Sequence, residues 1–289
     1  MSSFESIDVN GITLSFIEKG AGQPVILIHG ILSDYRMWSL QMDALSSSFR
    51  TVSYSRRCSY PNQNKDYENS TVENNAEDLV QFLKAKNAIP VHLIGHSYGA
   101  FIALYCAYKN PTLIRSLVLI EPDMQSLLIK DPQSRGEMFT LLFRKPSVAL
   151  AGRDFINNAL NPALKALDQG LNERAVELIT NKLQGKPDAY SRSPEQIKSM
   201  LLANAGTIKE LTTKIPQFTA KEAQTIQMPT MLISGENTSK ILAAMAEELS
   251  KSIQKIQVVK ISNSAHTPNI QNPKETNSAI TKFLSEQTR

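Results

Sequence analysis

The chain has 289 residues, of which 42% are hydrophobic and 20% charged, proportions typical of a folded globular protein with a large core. Its net charge of +4 comes from 31 basic and 27 acidic residues that are interspersed, so the composition gives no support for nucleic-acid binding. Its two cysteines, Cys58 and Cys106, lie in no Cys/His cluster and predict neither a disulfide framework nor a metal site. We expect a cytoplasmic protein without a membrane span, because no leader-like start and no stretch of about 18 apolar residues occurs.

Predicted strands and helices alternate along the chain. Two alternating segments around Asn10 and Gly11 predict an antiparallel hairpin at the start. Continuously apolar, β-branched runs follow, typical of parallel strands buried on both faces. These runs are VILIHG, TVSY, VHLIG, LVLIEP, TMLISG and IQVVKIS. Because amphipathic segments such as ENNAEDLVQFLKAKN separate them, we predict an α/β fold with a doubly wound, mostly parallel sheet of eight strands.

One long interval lacks a strong strand run. Residues 124–224 instead carry several amphipathic stretches separated by prolines. Because a structureless segment of this length is improbable in a compact domain, we expect a helical cap inserted into a core of residues 1–123 and 225–289. An independent helical domain is the alternative. The cap should line the substrate pocket with apolar side chains, among them Phe139, Leu142 and Phe155.

The segment GHSYG, residues 95–99, lies between a predicted strand and a predicted helix. A serine at a sharp strand-to-helix turn needs a strained backbone and very small neighbours, which Gly95 and Gly99 provide. The following helix would direct its first N–H groups and the positive end of its dipole toward charge that develops near Ser97. Ser97 is therefore the candidate nucleophile.

A serine nucleophile requires a base, and the chain has four histidines. His92 lies inside the strand before Ser97, whereas His29 and His96 are expected to have structural roles in a loop and a turn. His266 follows the last predicted strand, so we expect it at the edge where doubly wound sheets place their sites. We predict that His266 is the general base.

These motifs together resemble the α/β-hydrolase fold superfamily over essentially the whole chain. The matching segments are HG at residues 29–30, GHSYG, RSLVLIEP, MPTMLISGE and SNSAHTPNIQNP. The resemblance implies the order serine, acid, histidine along the chain. It also implies an oxyanion hole formed by the backbone N–H groups of Ile31, after HG, and Tyr98, after the nucleophile. No metal or organic cofactor is required.

The resemblance leaves the acid open. Most members carry an aspartate shortly after the seventh strand, but here Thr238 stands at that position and the last third of the chain contains no aspartate. Glu121 is the first choice because it directly ends the sixth strand, and Pro122 should extend the backbone through it. Asp123, two residues on, is the alternative acid, and Glu236 is the third candidate.

These residues predict a serine hydrolase that cleaves a carboxylic ester of a small to medium apolar substrate through an acyl-enzyme on Ser97. A cofactor-free oxygenase, a carbon–carbon bond hydrolase or a non-catalytic ligand-binding receptor on the same fold is the alternative. The expected partner is a small apolar molecule rather than nucleic acid, and the sequence allows either a monomer or a homodimer.

Overall fold

The structure is a computed structural model that describes residues 4–129 and 135–287. Its strands are β1 (Glu5–Val9), β2 (Ile12–Lys19), β3 (Pro24–Ile28), β4 (Arg50–Tyr54), β5 (Val91–His96), β6 (Ile114–Ile120), β7 (Thr230–Gly235) and β8 (Ile256–Ile261). They form one sheet in the order β1-β2-β4-β3-β5-β6-β7-β8. Pairing is antiparallel for β1 with β2 and for β2 with β4, and parallel elsewhere, which confirms the mostly parallel eight-stranded sheet.

Helices separate the parallel strands. They are α1 (Ser39–Leu45), α2 (Val72–Ala85), α3 (Tyr98–Lys109), α4 (Arg135–Arg144), α5 (Pro146–Phe155), α6 (Asn161–Asp168), α7 (Asn172–Gln184), α8 (Glu195–Ala203), α9 (Ala220–Ala223), α10 (Lys240–Ser252), α11 (Pro268–Gln271) and α12 (Pro273–Glu286). Short 3-10 turns occupy Tyr35–Trp38, Pro111–Leu113, Gln125–Leu127 and Ala205–Thr212, and a π-helical turn at Ile156–Leu160 joins α5 to α6. Among the described residues, no helix combines the length and apolar character needed to span a bilayer.

The first hairpin turns at the predicted residues. Asn10 and Gly11 have φ values of 49° and 74°, the left-handed geometry of a two-residue turn whose twist matches that of the strands. Val9 lies opposite Ile12 across this turn, which fixes the register of β1 against β2.

The central strands β3, β5, β6 and β7 are buried on both of the faces to which their side chains alternately point. In β3, Ile26 and Ile28 belong to a cluster that includes residues of α2 and α3. Val25 and Leu27 belong to another cluster that includes residues of α1 and α12. Helices therefore cover the central strands on each side, as their continuously apolar sequences predicted. The same prediction is wrong for β8, because this strand lies at the edge of the sheet and exposes Gln257, Val258 and Lys260.

The described part of the interval between β6 and β7 contains helices α4 to α9 and no strand. Ala163 of α6 and Val176 and Ile179 of α7 form a separate apolar cluster, to which Leu32 of the loop after β3 also belongs. The division into a core of residues 1–123 and 225–289 with a cap of residues 124–224 stays a prediction.

Candidate active site

Ser97 lies at a strained turn between β5 and α3. Its φ of 52° and ψ of −121° are sparsely populated for a residue with a side chain. Both neighbouring glycines are sterically required: a Cβ atom on Gly95 would lie 2.4 Å from the carbonyl oxygen of Gly99, and one on Gly99 would lie 2.3 Å from that of Ile28. The turn thus has the geometry expected of a nucleophile at the edge of the sheet.

His266 is brought to this serine by the loop after β8. Its Nε2 atom lies 3.1 Å from the Oγ atom of Ser97, within hydrogen-bond distance, although 169 residues separate the two in the chain. Both side chains are buried. His266 can therefore accept the serine proton if its own proton is on Nδ1.

Glu121 lies behind His266, directly after β6. Its Oε2 atom is 3.6 Å from the Nδ1 atom of His266, an ion-pair distance when the imidazole is protonated. The carboxylate is buried and accepts a 2.8 Å hydrogen bond at Oε1 from the backbone N–H of Gly235. The hydroxyl of Thr238 donates to Oε2 at 2.5 Å. Two donors from the segment around the end of β7 therefore fix an acid that stands at the end of β6.

The backbone prediction for Glu121 is wrong. β6 ends at Ile120, and Glu121 adopts a φ of 48° instead of continuing the strand in an extended conformation before Pro122. The N–H of Glu121 donates to the carbonyl oxygen of Ile233 at 2.9 Å, while its carboxylate bonds the N–H of Gly235 on the same neighbouring strand. We attribute the left-handed backbone of Glu121 to this pair of bonds. The prediction rested only on the local preference of a residue before proline for an extended backbone.

The other two acid candidates have different surroundings. Burial raises the pKa of Asp123, an effect that the nearby His266 partly offsets, and its backbone N–H donates to the carbonyl oxygen of Ser97 at 3.5 Å. Glu236 is exposed and accepts a 3.0 Å hydrogen bond from the N–H of Asn263. Asp123 thus lies close to the histidine, whereas Glu236 braces the turn after β8.

The two predicted oxyanion-hole residues come from two separate segments of the chain. Tyr98 is the first residue of α3, so its N–H has no carbonyl partner within the helix. Ile31 follows the HG turn, where the next residue, Leu32, has a φ of 56° and its N–H donates to the Thr207 hydroxyl at 2.8 Å. The loop that carries Ile31 is thereby tied to the helical segment between β6 and β7.

A buried arginine supports the HG turn from behind. Arg56 donates to the carbonyl oxygens of His29 and Gly30, both at 3.1 Å, and pairs with Glu210 at 2.7 Å. The N–H of Arg56 also donates to Nε2 of His29 at 3.0 Å, and burial lowers the pKa of His29 well below its ordinary value. Cys58 is buried too, which raises its pKa to about 11 and disfavours a second nucleophile.

A cleft of about 390 Å³ opens beside His266, a size suited to a small ligand. Its apolar lining comes mainly from the loop after β3, from α7, α8 and α11, and includes Ile31, Met37, Leu183, Ile197, Met200 and Ile270. The expectation for Phe139, Leu142 and Phe155 is not met, since none lines this cleft. Phe139 and Leu142 are 70% and 45% exposed, and Phe155 packs against the cluster of α6 and α7.

Sequence reasoning missed two residues that act on the site. Thr238 was noted only as the residue in place of an aspartate, yet its hydroxyl holds Glu121. His96 donates from Nε2 to the carbonyl oxygen of His266 at 2.7 Å and lines the cleft. By contrast, His92 lies within β5, between the Ser116 hydroxyl at 2.7 Å and the Gln23 amide oxygen at 3.0 Å. Nothing in the sequence indicated the contact between the two histidines, because 170 residues separate them.

Comparisons with known proteins match the whole fold. The family model for the alpha/beta hydrolase fold matches residues 23–273. Epoxide hydrolase 3 of Xenopus tropicalis is 23% identical over 96% of this chain and 76% of its own length. The 2-(acetamidomethylene)succinate hydrolase of Mesorhizobium japonicum is 25% identical over 96% of this chain and 94% of its own. The structure of carboxylesterase CesB from Bacillus subtilis superposes with a TM-score of 0.73 at 20% identity, covering 98% and 92% of the two chains. The chain belongs to the alpha/beta hydrolase fold family.

Proposed function

We propose that this protein is a serine hydrolase that cleaves carboxylic esters of small to medium apolar acids through an acyl-enzyme on Ser97. One observation carries the proposal: the buried Ser97 hydroxyl lies 3.1 Å from Nε2 of His266, and Glu121 lies 3.6 Å behind Nδ1. A nucleophile, a base and an orienting acid in this relation are the working parts of acyl transfer.

In the first half-reaction, Oγ of Ser97 attacks the ester carbonyl carbon while Nε2 of His266 takes the hydroxyl proton. The N–H groups of Ile31 and Tyr98 would donate to the oxyanion that forms. The carboxylate of Glu121, 3.6 Å from Nδ1, offsets the positive charge of the imidazolium that forms. His266 then gives the proton to the alkoxide, the carbon–oxygen bond breaks, and the alcohol leaves an acyl group on Ser97.

In the second half-reaction, a water molecule takes the place of the alcohol. His266 removes one water proton as the oxygen attacks the acyl carbon, and it returns this proton to Oγ of Ser97 as the carboxylic acid leaves. The same three side chains therefore serve both halves. The free enzyme is restored with water as the second substrate.

The chemistry of serine favours esters over epoxides, although one relative is named an epoxide hydrolase. Attack of the Ser97 oxygen on an epoxide carbon would leave an ether on the enzyme, which water and imidazole cannot cleave. Attack on an ester leaves an acyl-enzyme, which they can cleave. A protein of similar structure that is named a carboxylesterase supports the choice of an ester.

The lining of the cleft supports an apolar substrate. Side chains of leucine, isoleucine and methionine form much of its wall, and such walls bind an acyl chain by burying it from water. Lys186, Asp188 and Arg192 also contribute to the lining. Arg192 pairs with Asp188 at 3.2 Å, so these two charges offset each other.

Covalent labelling tests the proposal. Purified protein should react with a fluorophosphonate probe, and mass analysis should place the label on Ser97. It should also hydrolyse 4-nitrophenyl esters of increasing chain length. Ser97→Ala should remain folded by circular dichroism, remain unlabelled, and lose turnover by roughly 10³-fold or more.

Two outcomes would contradict the proposal. Substantial turnover by folded Ser97→Ala protein would exclude Ser97 as the nucleophile. Failure of the native protein to label and to hydrolyse any ester would instead favour the oxygenase or the ligand-binding receptor.

A further inference from the structure

The outer face of α4 exposes large apolar side chains to solvent. Phe143 is 84% exposed and Phe139 70%, the two highest values among the large apolar side chains that the structure describes. Leu142, 45% exposed, follows Phe139 by three positions, and Phe143 follows it by four, so all three lie on one side of the helix. Leu150, in the neighbouring helix α5, is 58% exposed as well.

Neither the packing of the fold nor the cleft uses this face. α4 contacts α5, and α5 in turn contacts α10, a helix that packs on the sheet. Leu141, on the other side of α4, is half-buried. None of the exposed side chains of α4 and α5 lines the cleft beside His266. Exposed apolar groups clustered in this way are typical of a surface that binds a protein or a membrane.

Two arginines accompany the apolar face. Arg144 follows Phe143 directly, Arg153 lies in α5, and both side chains are exposed. Neither makes an ion pair or a side-chain hydrogen bond with residues 4–129 or 135–287. Both guanidinium groups are therefore available to an anion from outside the chain.

Three acids close to these helices are already paired. Glu247 and Glu248 of α10 pair with Lys145, the residue that joins α4 to α5, at 3.3 and 2.9 Å. Asp154, next to Arg153, pairs with Lys182 of α7. The arginines therefore keep their positive charge beside exposed apolar side chains.

This combination fits an anionic bilayer better than a second copy of the chain. In a symmetric dimer the same patch contributes twice, so Arg144 and Arg153 of both copies would enter one interface without an acid to pair with. A bilayer supplies both kinds of partner: its headgroup region admits aromatic rings, and its lipid phosphates accept hydrogen bonds from guanidinium groups.

We propose that the outer face of α4, together with Leu150 of α5, binds the surface of a bilayer that contains anionic phospholipid. Phe139 and Phe143 enter the boundary between headgroups and acyl chains, and Arg144 and Arg153 pair with lipid phosphates. The inference goes beyond the proposed function and does not depend on it, because none of these side chains lines the cleft.

Co-sedimentation with vesicles tests the proposal. The full chain is mixed with vesicles of equimolar phosphatidylglycerol and phosphatidylcholine, and separately with vesicles of phosphatidylcholine alone. Each arginine near an anionic surface is expected to strengthen binding about 5-fold. We therefore expect the partition coefficient to be roughly 10-fold to 30-fold higher for the anionic vesicles, and this difference to shrink at high salt because counterions screen the lipid charge.

A double replacement tests the apolar part of the face. Phe139→Gln/Phe143→Gln removes both rings but keeps residues that favour a helix. We expect its partition coefficient on anionic vesicles to fall by roughly 10²-fold, the effect of two rings that are no longer buried. Leu40→Gln is the matched control, because Leu40 is also 45% exposed on a helix, α1, which packs on the other side of the sheet from α10. It should bind as the native protein does.

A second double replacement tests the charge. Arg144→Gln/Arg153→Gln should lower the partition coefficient on anionic vesicles by roughly 10-fold to 30-fold. Its binding to phosphatidylcholine vesicles should stay unchanged, because these carry no net charge to lose. Circular dichroism and urea unfolding check that each variant is folded.

A fluorescence measurement locates the contact. The only tryptophan of the chain, Trp38, is buried, so a tryptophan introduced at an exposed position reports on that position. The emission of Phe143→Trp should shift to shorter wavelength on anionic vesicles and should be quenched by brominated lipid. Leu40→Trp should show neither change.

Absence of native binding to anionic vesicles would overturn the inference, and so would equal binding to both kinds of vesicle or full binding by Phe139→Gln/Phe143→Gln. A native dimer in sedimentation velocity that this double replacement dissociates would overturn it in favour of a second copy. If the double replacement does not fold, quenching of Phe143→Trp against Leu40→Trp decides alone. Labelling of Ser97 is measured separately, so the proposed function stands or falls independently of these results.

Discussion

Replacement of Glu121 by glutamine keeps the size of the side chain but removes the charge behind His266. The N–H of Gly235 donates to Oε1, so the glutamine oxygen must stay there to avoid two opposed donors. The amide nitrogen then occupies the place of Oε2, which faces Thr238 and Nδ1 of His266. A donor at this point favours the tautomer with the proton on Nε2, and such an imidazole cannot accept the proton of Ser97.

The magnitude of the effect follows from the distance. Unit charges 3.6 Å apart, the separation of Glu121 Oε2 from His266 Nδ1, attract by about 4 to 5 kcal/mol at an effective dielectric constant of about 20. Since about 1.4 kcal/mol is a factor of ten in rate, loss of this attraction corresponds to roughly 10³-fold. With the wrong tautomer included, we expect Glu121→Gln to lower kcat by roughly 10²-fold to 10⁴-fold.

Steady-state hydrolysis of a 4-nitrophenyl ester measures this loss, with folding checked by thermal unfolding. Asp123→Asn is the matched control, because Asp123 is the other acid close to His266, and it should cause a much milder loss. Glu236→Gln should have little effect, since its carboxylate is exposed and bonds only the turn at Asn263. A crippled Asp123→Asn protein beside a Glu121→Gln protein of near-normal rate would show that the acid is Asp123.

Two further predictions concern stability. Gly99→Ala should abolish or severely weaken folding, because its Cβ atom would lie 2.3 Å from the carbonyl oxygen of Ile28. The control Gly152→Ala, in open space within α5, should stabilise by about 0.5 to 1 kcal/mol, and similar urea midpoints for the two variants would contradict this. Burial, with the charge of Arg115, lowers the pKa of His92 to about 4. In the unfolded chain His92 takes up a proton near pH 6.5. Its contribution to the free energy of unfolding is therefore fully present above that pH and decreases as the pH falls toward 4. When the pH is lowered from 6.5 to 5, the free energy of unfolding measured in urea should decrease for the native protein by up to about 2 kcal/mol more than for His92→Asn. An equal decrease in the two proteins would refute the assignment.

The order of elements was predictable because it depends on local pattern. Residues in β3 alternate between two buried faces, so the whole strand is apolar and is recognisable in the sequence. The Asn10-Gly11 turn and the glycines around Ser97 are likewise local, since each reflects a backbone geometry that few other residues adopt. Ser97 and His266 could be paired from sequence because only one of the four histidines follows a late strand.

The predictions that were wrong concern features that depend on contacts between segments distant in the chain. The φ of 48° at Glu121 accompanies a backbone bond to Ile233 and a side-chain bond to Gly235, more than a hundred residues away in the chain. The lining of the cleft was misplaced for the same reason, since amphipathic spacing in α4 does not tell which neighbour its apolar face meets. The exposure of Phe139 shows that the sequence pattern gave the helix but not its packing.

The missing aspartate after β7 is explained by the place of the proposed acid. Leu119 and Ile120 of β6 lie opposite Leu232 and Ile233 of β7, so a carboxylate from the end of either strand can reach the same point behind His266. Glu121 takes this point from β6, and the Thr238 hydroxyl touches its Oε2 at 2.5 Å. An aspartate at position 238 would bring a second carboxylate to that contact, where two buried like charges cannot both ionise. A hydroxyl donates a hydrogen bond without adding charge, so a threonine at position 238 is compatible with an acid that follows β6.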